Sequence, residues 1–157
     1  MDPRQERPQG NFVAAQDASP GTARPSDALR SQMVSAPFRL NLVSNGAVIG
    51  QLGVSAGINS NWCVIVPAGQ GVVLSMYYYH GDPYIQLAND SSSYLSVSLR
   101  AYAGFYGWLN ATSVDFTHEG RLNCSYNHQD LSFYSTSDGY LYFWNPYTVL
   151  TVVPVAA

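Results

Sequence analysis

The strongest constraint on the fold is a phrase that returns. Residues 38–46 read FRLNLVSNG and residues 120–128 read GRLNCSYNH, so Arg-Leu-Asn occurs at 39 and again at 121. Between them lies YIQLAN, in which Ile85-Gln86-Leu87 matches Leu40-Asn41-Leu42 and Leu122-Asn123-Cys124 as apolar, amide, apolar. The three tryptophans, Trp62, Trp108 and Trp144, follow Leu40, Ile85 and Leu122 by 22, 23 and 22 residues. Ile49, Leu95 and Leu131 follow the same three positions by 9, 10 and 9. Two markers in phase predict one supersecondary unit used three times, over about 37–81, 82–118 and 119–157. An equivalent tryptophan in each unit is expected to fill a core layer around the axis, in preference to stacking on a ligand. Asn41, Gln86 and Asn123, on the opposite face of their strands, are expected to satisfy neighbouring backbone.

Within the units the apolar residues alternate with period two. Twelve segments read as strands: FRLNLV, AVIGQL, WCVIVP, VVLSMYYY, YIQLAN, YLSVSL, FYGWL, SVDFT, RLNCSY, DLSFYS, YLYFW and TVLTVVP. Gly, Asn, Asp, Ser or Pro separates them, and no stretch after residue 37 carries a 3.6-residue period. This predicts an all-β domain with four strands per unit.

Residues 1–36 differ in texture. They are rich in Pro, Gln, Ala, Ser and Arg with one aromatic, Phe12. Such a segment buries too little apolar surface to offset its ordering entropy and is expected to be a disordered or extended arm, with at most a short helix near 25–34 capped by Ser26. The chain has no lysine, and the domain from residue 37 carries Arg39, Arg100 and Arg121 against six acids, a formal charge of −3. That argues against nucleic acid as a partner, since phosphate neutralisation supplies most of that affinity. It also excludes a Schiff-base lysine and a phosphate loop ending in lysine. No apolar run is long enough to span a bilayer. The start lacks a signal-peptide pattern, which predicts a cytoplasmic or non-classically exported protein. Cys63 and Cys124 match no metal spacing and lie in apolar strands, so buried free thiols are expected over a disulfide.

Twelve strands in three four-stranded units resemble the β-trefoil, in which six strands form a short barrel and six form a hairpin cap. The resemblance covers residues 37–157 and rests on the repeat pattern; the Gln-x-Trp motif of ricin-B-type trefoils is missing. The alternatives are a β-prism, whose monocot-lectin motif only Gln86 could begin, and a jelly-roll sandwich. In sugar-binding trefoils the ligand sits near the third-strand hairpin, contacted by an Asp, an aromatic and an Asn. The resemblance therefore implies a third-unit site of Asp138, Tyr140 and Asn145, and a second-unit site of Tyr102, Tyr106 and Asn110. The second unit has no aspartate at its tip.

Features outside the repeat are further candidates, because the scaffold does not require them. The densest is MYYYHGDPY at 76–84. Alternation puts Tyr77 and Tyr79 on one face, and with Asp82 and Tyr84 they offer aromatic and carboxylate groups suited to a sugar. The plainer reading is a hairpin whose tyrosines pack on a neighbouring strand. His80 and His128 each precede a carboxylate by two residues, too few ligands for a metal site. No activated nucleophile accompanies Asp115, His118 and Glu119, so the chain does not read as an enzyme, and no cofactor is implied. The trefoil resemblance, with a surface rich in Tyr, Ser, Asn and Gly, thus implies a carbohydrate-binding, lectin-like module recognising glycans or glycoproteins. The alternative is a structural or assembly protein, a coat, decoration or scaffold component that homo-oligomerises through the N-terminal arm.

Overall fold

A computed structural model describes residues 2–5, 36–55 and 61–157. The expected helix near 25–34 lies outside the described residues. What is described is all-β: thirteen strands and two single 3-10 turns, Pro3–Gln5 and Trp108–Asn110. The strands are β1 (Phe38–Ser44), β2 (Ala47–Val54), β3 (Cys63–Val66), β4 (Leu74–Tyr79), β5 (Asp82–Leu87), β6 (Asp90–Val97) and β7 (Ala103–Tyr106). They continue with β8 (Val114–Phe116), β9 (Leu122–Cys124), β10 (Leu131–Phe133), β11 (Leu141–Phe143), β12 (Thr148–Val149) and β13 (Thr151–Ala156). The twelfth expected strand is thus split at Leu150, whose N–H donates to Leu131 O. FYGWL is strand only to Tyr106 and then turns.

All named pairings are antiparallel. One sheet runs β3-β2-β1-β4-β5-β6-β7, with β13 also on β1; β11-β10-β12 and β8-β9 are separate. Turn chemistry sets two of the hairpins. Asn45 and Gly46 between β1 and β2, and His80 and Gly81 between β4 and β5, all have positive φ. That is what a two-residue hairpin turn matched to strand twist requires.

The third strands meet in a cycle. Phe105 N–H donates to Asn61 O at 2.7 Å, Phe143 N–H to Ala101 O at 2.8 Å, and Ile65 N–H to Gly139 O at 2.8 Å. Bridges Trp62↔Gly104, Tyr102↔Tyr142 and Tyr140↔Val64 follow the same rotation. Trp62, Tyr102 and Tyr140 therefore hold one place in three chain segments. Their rings pack edge to face, with centroids 4.9, 6.5 and 5.9 Å apart.

This corrects the tryptophan register. Trp62 stands 22 residues after Leu40, whereas Tyr102 and Tyr140 stand 17 and 18 after Ile85 and Leu122. Extra residues before β3 shift the first segment, and the even tryptophan spacing is a coincidence. Trp108 instead opens the 3-10 turn beyond β7, and Trp144 follows β11. Nor do the tryptophans fill the main core. That core is aliphatic, built from Leu40, Leu42, Leu52, Ile85, Leu95, Leu122, Leu131, Leu141 and neighbours including Phe105 and Phe143. The first-strand phrase does carry its weight here, since Leu40, Ile85 and Leu122 are all fully buried. Its amides pair with side chains: Asn41 with Gln51, Gln86 with Ser75, and Asn123 with Asp130.

Cys63 and Cys124 are free and buried. Burial pushes both thiols up, and a contact with Thr112 partly offsets this for Cys124. A thiolate is the reactive species. A thiol reagent such as an aromatic disulfide is expected to leave both unmodified in the native protein and to label two per chain in denaturant. Fast labelling of either one under native conditions would contradict this packing.

Candidate functional site

The candidate residues divide among three places. The first is the β4–β5 hairpin. Tyr77 lies opposite Tyr84, and Tyr79 opposite Asp82. Tyr77 and Tyr84 are buried with Tyr94 and Trp108, and Tyr79 lies half-buried at the edge of that cluster. Burial, helped by the nearby Asp82 charge, pushes the Tyr84 hydroxyl up to about 12. The ring that this hairpin exposes is Tyr78, on the other face.

The second-unit trio separates. Tyr102 is fully buried in the ring cluster at the meeting of the third strands, and Tyr106 packs against that cluster. Asn110 belongs to the 3-10 turn, where its carbonyl accepts from Ser96 Oγ at 2.9 Å.

In the third unit Tyr140 faces the same ring cluster as Tyr102. Asn145 is occupied by Asp130: its Oδ1 accepts from Asp130 N–H at 2.6 Å, and its Nδ2 donates to Asp130 Oδ2 at 3.3 Å. Asn123 at 3.0 Å and Arg121 at 3.6 Å complete that polar knot.

Asp138 has a different setting. It precedes Gly139, whose φ of +79° turns the chain into β11, and its N–H donates to Ser135 Oγ. The turn aims its carboxylate inward, where Oδ2 accepts from Tyr142 Oη at 2.6 Å. Desolvation first, and then this hydrogen bond, raises the Tyr142 hydroxyl well above the ordinary tyrosine value. Tyr142 continues outward in a chain of rings: Tyr147 lies 5.1 Å from it, and Tyr134 lies 5.3 Å from Tyr147. Tyr134 ends the chain at the surface, 48% exposed. A recessed carboxylate and a graded wall of three tyrosines thus form one patch.

The N-terminal residues lie on this patch. The Arg4 guanidinium carbon sits 3.7 Å above the centre of the Tyr134 ring, and Arg4 Nε is 3.6 Å from Asp138 Oδ1. Asp2 Oδ1 accepts from Tyr147 Oη. That bond, then the Arg4 backbone N–H, holds the Asp2 carboxyl below its ordinary value. Pro3, between them in the chain, is buried. With the segment in place the Asp138 side chain is only 3% exposed.

Sequence reasoning singled out Asp138 but not Tyr134, Tyr142 or Tyr147. The signal was present, since YSTSDGYLYFWNPY places tyrosines on both sides of the Asp-Gly turn. Nothing in the sequence pointed to Asp2 and Arg4, because their partners lie 130 or more positions away. Among the described residues no three His, Cys, Asp or Glu side chains gather as metal ligands, and no helix is long and apolar enough to cross a membrane. No protein-family model, curated protein or solved structure matches the chain.

Proposed function

We propose that the chain is a β-trefoil carbohydrate-binding module whose ligand site is the patch around Asp138. The trefoil reading is supported by the pairing pattern. β1 lies beside β4 and β13, β4 beside β5, β5 beside β8, and β8 beside β9. Val152 N–H donates to Gly120 O, joining the ends of that series. A six-stranded ring capped by the three third-strand hairpins accounts for every one of these contacts.

The observation that carries the binding reading is the Asp138 carboxylate beside an exposed tyrosine. A sugar ring packs a C–H face on Tyr134, while its hydroxyls donate to Asp138 Oδ1 and exchange hydrogen bonds with Tyr147 Oη. The rings are rigid, so their contact area costs little side-chain entropy. A glycan array probed with the full chain, and with the full chain carrying Arg4→Ala, tests this reading. Retention of a defined glycan is expected. For that glycan, Tyr134→Ala is expected to weaken binding about 10-fold, and Asp138→Asn about 10- to 100-fold. Tyr134 reaches the surface, so its loss leaves the fold intact even if Asp138→Asn perturbs the Tyr142 contact. Failure of both chains to retain any glycan at high protein concentration would reject the reading.

A further inference from the structure

The N-terminal contacts are too specific in chemistry to be read as incidental cover. A cation lies over a ring face and beside a carboxylate, a carboxylate accepts from a phenol, and the proline between the two in the chain is buried. These are three separate recognitions within three consecutive residues, Asp2-Pro3-Arg4. The Pro ring fixes φ at about −65°, which restricts the segment before it binds. The Arg4 backbone N–H also donates to Asp2 Oδ1 at 3.0 Å, which folds the Asp2 side chain back onto the segment's own backbone.

We propose that the patch of Asp138, Tyr134 and Tyr147 is a peptide-recognition site for an Asp-Pro-Arg segment, filled in cis by the chain's own N terminus, which thereby competes with any external ligand. The competition clause rests on the carbohydrate reading above; the peptide clause does not. Arg4 occupies the face of Tyr134 and the edge of Asp138 Oδ1 that a sugar would need. Occupancy by the tail and by a glycan therefore exclude each other.

Magnitudes set the design of the test. A cation–π contact at an exposed site and a partly exposed ion pair are each weak. With one further hydrogen bond, a free peptide is expected to bind with a dissociation constant of several millimolar at the tightest. A copy within the same chain meets the patch without the cost of bringing two molecules together. The native chain is thus substantially self-occupied and poised to be displaced by a moderate ligand.

The experiment uses the full-length protein and a synthetic peptide, Met-Asp-Pro-Arg-Gln-Glu-Arg, read by NMR of the tyrosine rings. Arg4→Ala is expected to shift the Tyr134 and Tyr147 ring signals from their native positions. Millimolar peptide should then return them toward those positions in the variant, with little effect on the native chain. The same peptide with alanine in place of its first arginine should do nothing, and Asp138→Asn combined with Arg4→Ala should abolish the response. Identical ring signals in native and Arg4→Ala proteins would overturn the proposal, as would no response to peptide at several millimolar. A glycan identified on the array separates the two readings. Peptide binding without glycan binding rejects the carbohydrate reading and leaves the peptide site standing. Glycan binding equal in native and Arg4→Ala chains rejects the competition. A glycan affinity raised about 2- to 10-fold by Arg4→Ala supports both.

Discussion

Trp62→Ala is expected to lower the unfolding free energy by about 3–5 kcal/mol, the cost of deleting a large buried aromatic side chain. Trp62→Tyr is expected to cost only about 1–2 kcal/mol. The contrast follows from the place Trp62 holds. It is 2% exposed, and its ring meets Tyr102 at 80° and Tyr140 at 74°, while those two meet each other at 72°. Edge-to-face pairs of this kind add about 0.5–1.5 kcal/mol beyond area burial. Alanine removes one ring from three mutual contacts and leaves a cavity where the third strands converge. Tyrosine is what the other two segments already carry at this place, so it restores a three-ring arrangement with a smaller void. Denaturant unfolding checks both variants, read as a shift of midpoint at unchanged slope. Equal losses for tyrosine and alanine would show that Trp62 does not share the place of Tyr102 and Tyr140.

That substitution also separates what was legible in the sequence from what was not. The first-strand phrase marked Leu40, Ile85 and Leu122 correctly as buried core, because period-two alternation is a local property and all three strands have one buried face. The all-β class was readable for the same reason. The tryptophan phase misled because residue spacing measures chain length and takes no account of loop length. A loop longer by four or five residues before β3 cannot be told from a shifted marker without the strand pairing. For the candidate site, Asp138 was legible through the Asp-Gly turn, which is local chemistry. Tyr140 and Asn145 were carried over with it by resemblance, yet β11 turns Tyr140 toward Trp62, and Asp130 engages Asn145. Tyr134 and Tyr147 stand 13 positions apart and meet only because β10 and β12 pair. The tail contacts depend on tertiary structure entirely, and a composition typical of disorder gave no hint that its first residues would find partners.

Trp108→Ala is expected to cost a similar 3–5 kcal/mol, and its second consequence is electrostatic. Trp108 lies within 5.0–5.5 Å of four tyrosine rings: Tyr84, Tyr94, Tyr79 and Tyr77. It is the common wall of that cluster. Burial pushes the Tyr84 hydroxyl up to about 12, against about 10 for a tyrosine in water. The folded value lies above the unfolded one, so protonated Tyr84 contributes its stability in full below about pH 10. That contribution is lost as the pH rises to about 12, because the unfolded chain ionises first. Removing Trp108 opens the cluster to water, which favours the phenolate and brings the Tyr84 titration back toward about 10. The variant is therefore expected to be less stable at neutral pH and to lose less of what remains between pH 10 and 12. Ultraviolet absorbance of the tyrosinates against pH, compared between native and Trp108→Ala proteins, reads this directly. A Tyr84→Phe control identifies its share of the signal. An unchanged tyrosinate titration in a folded Trp108→Ala protein would mean that the indole does not keep water from Tyr84. The raised ionisation would then have to come from the β4–β5 hairpin itself, where the Asp82 charge also raises it.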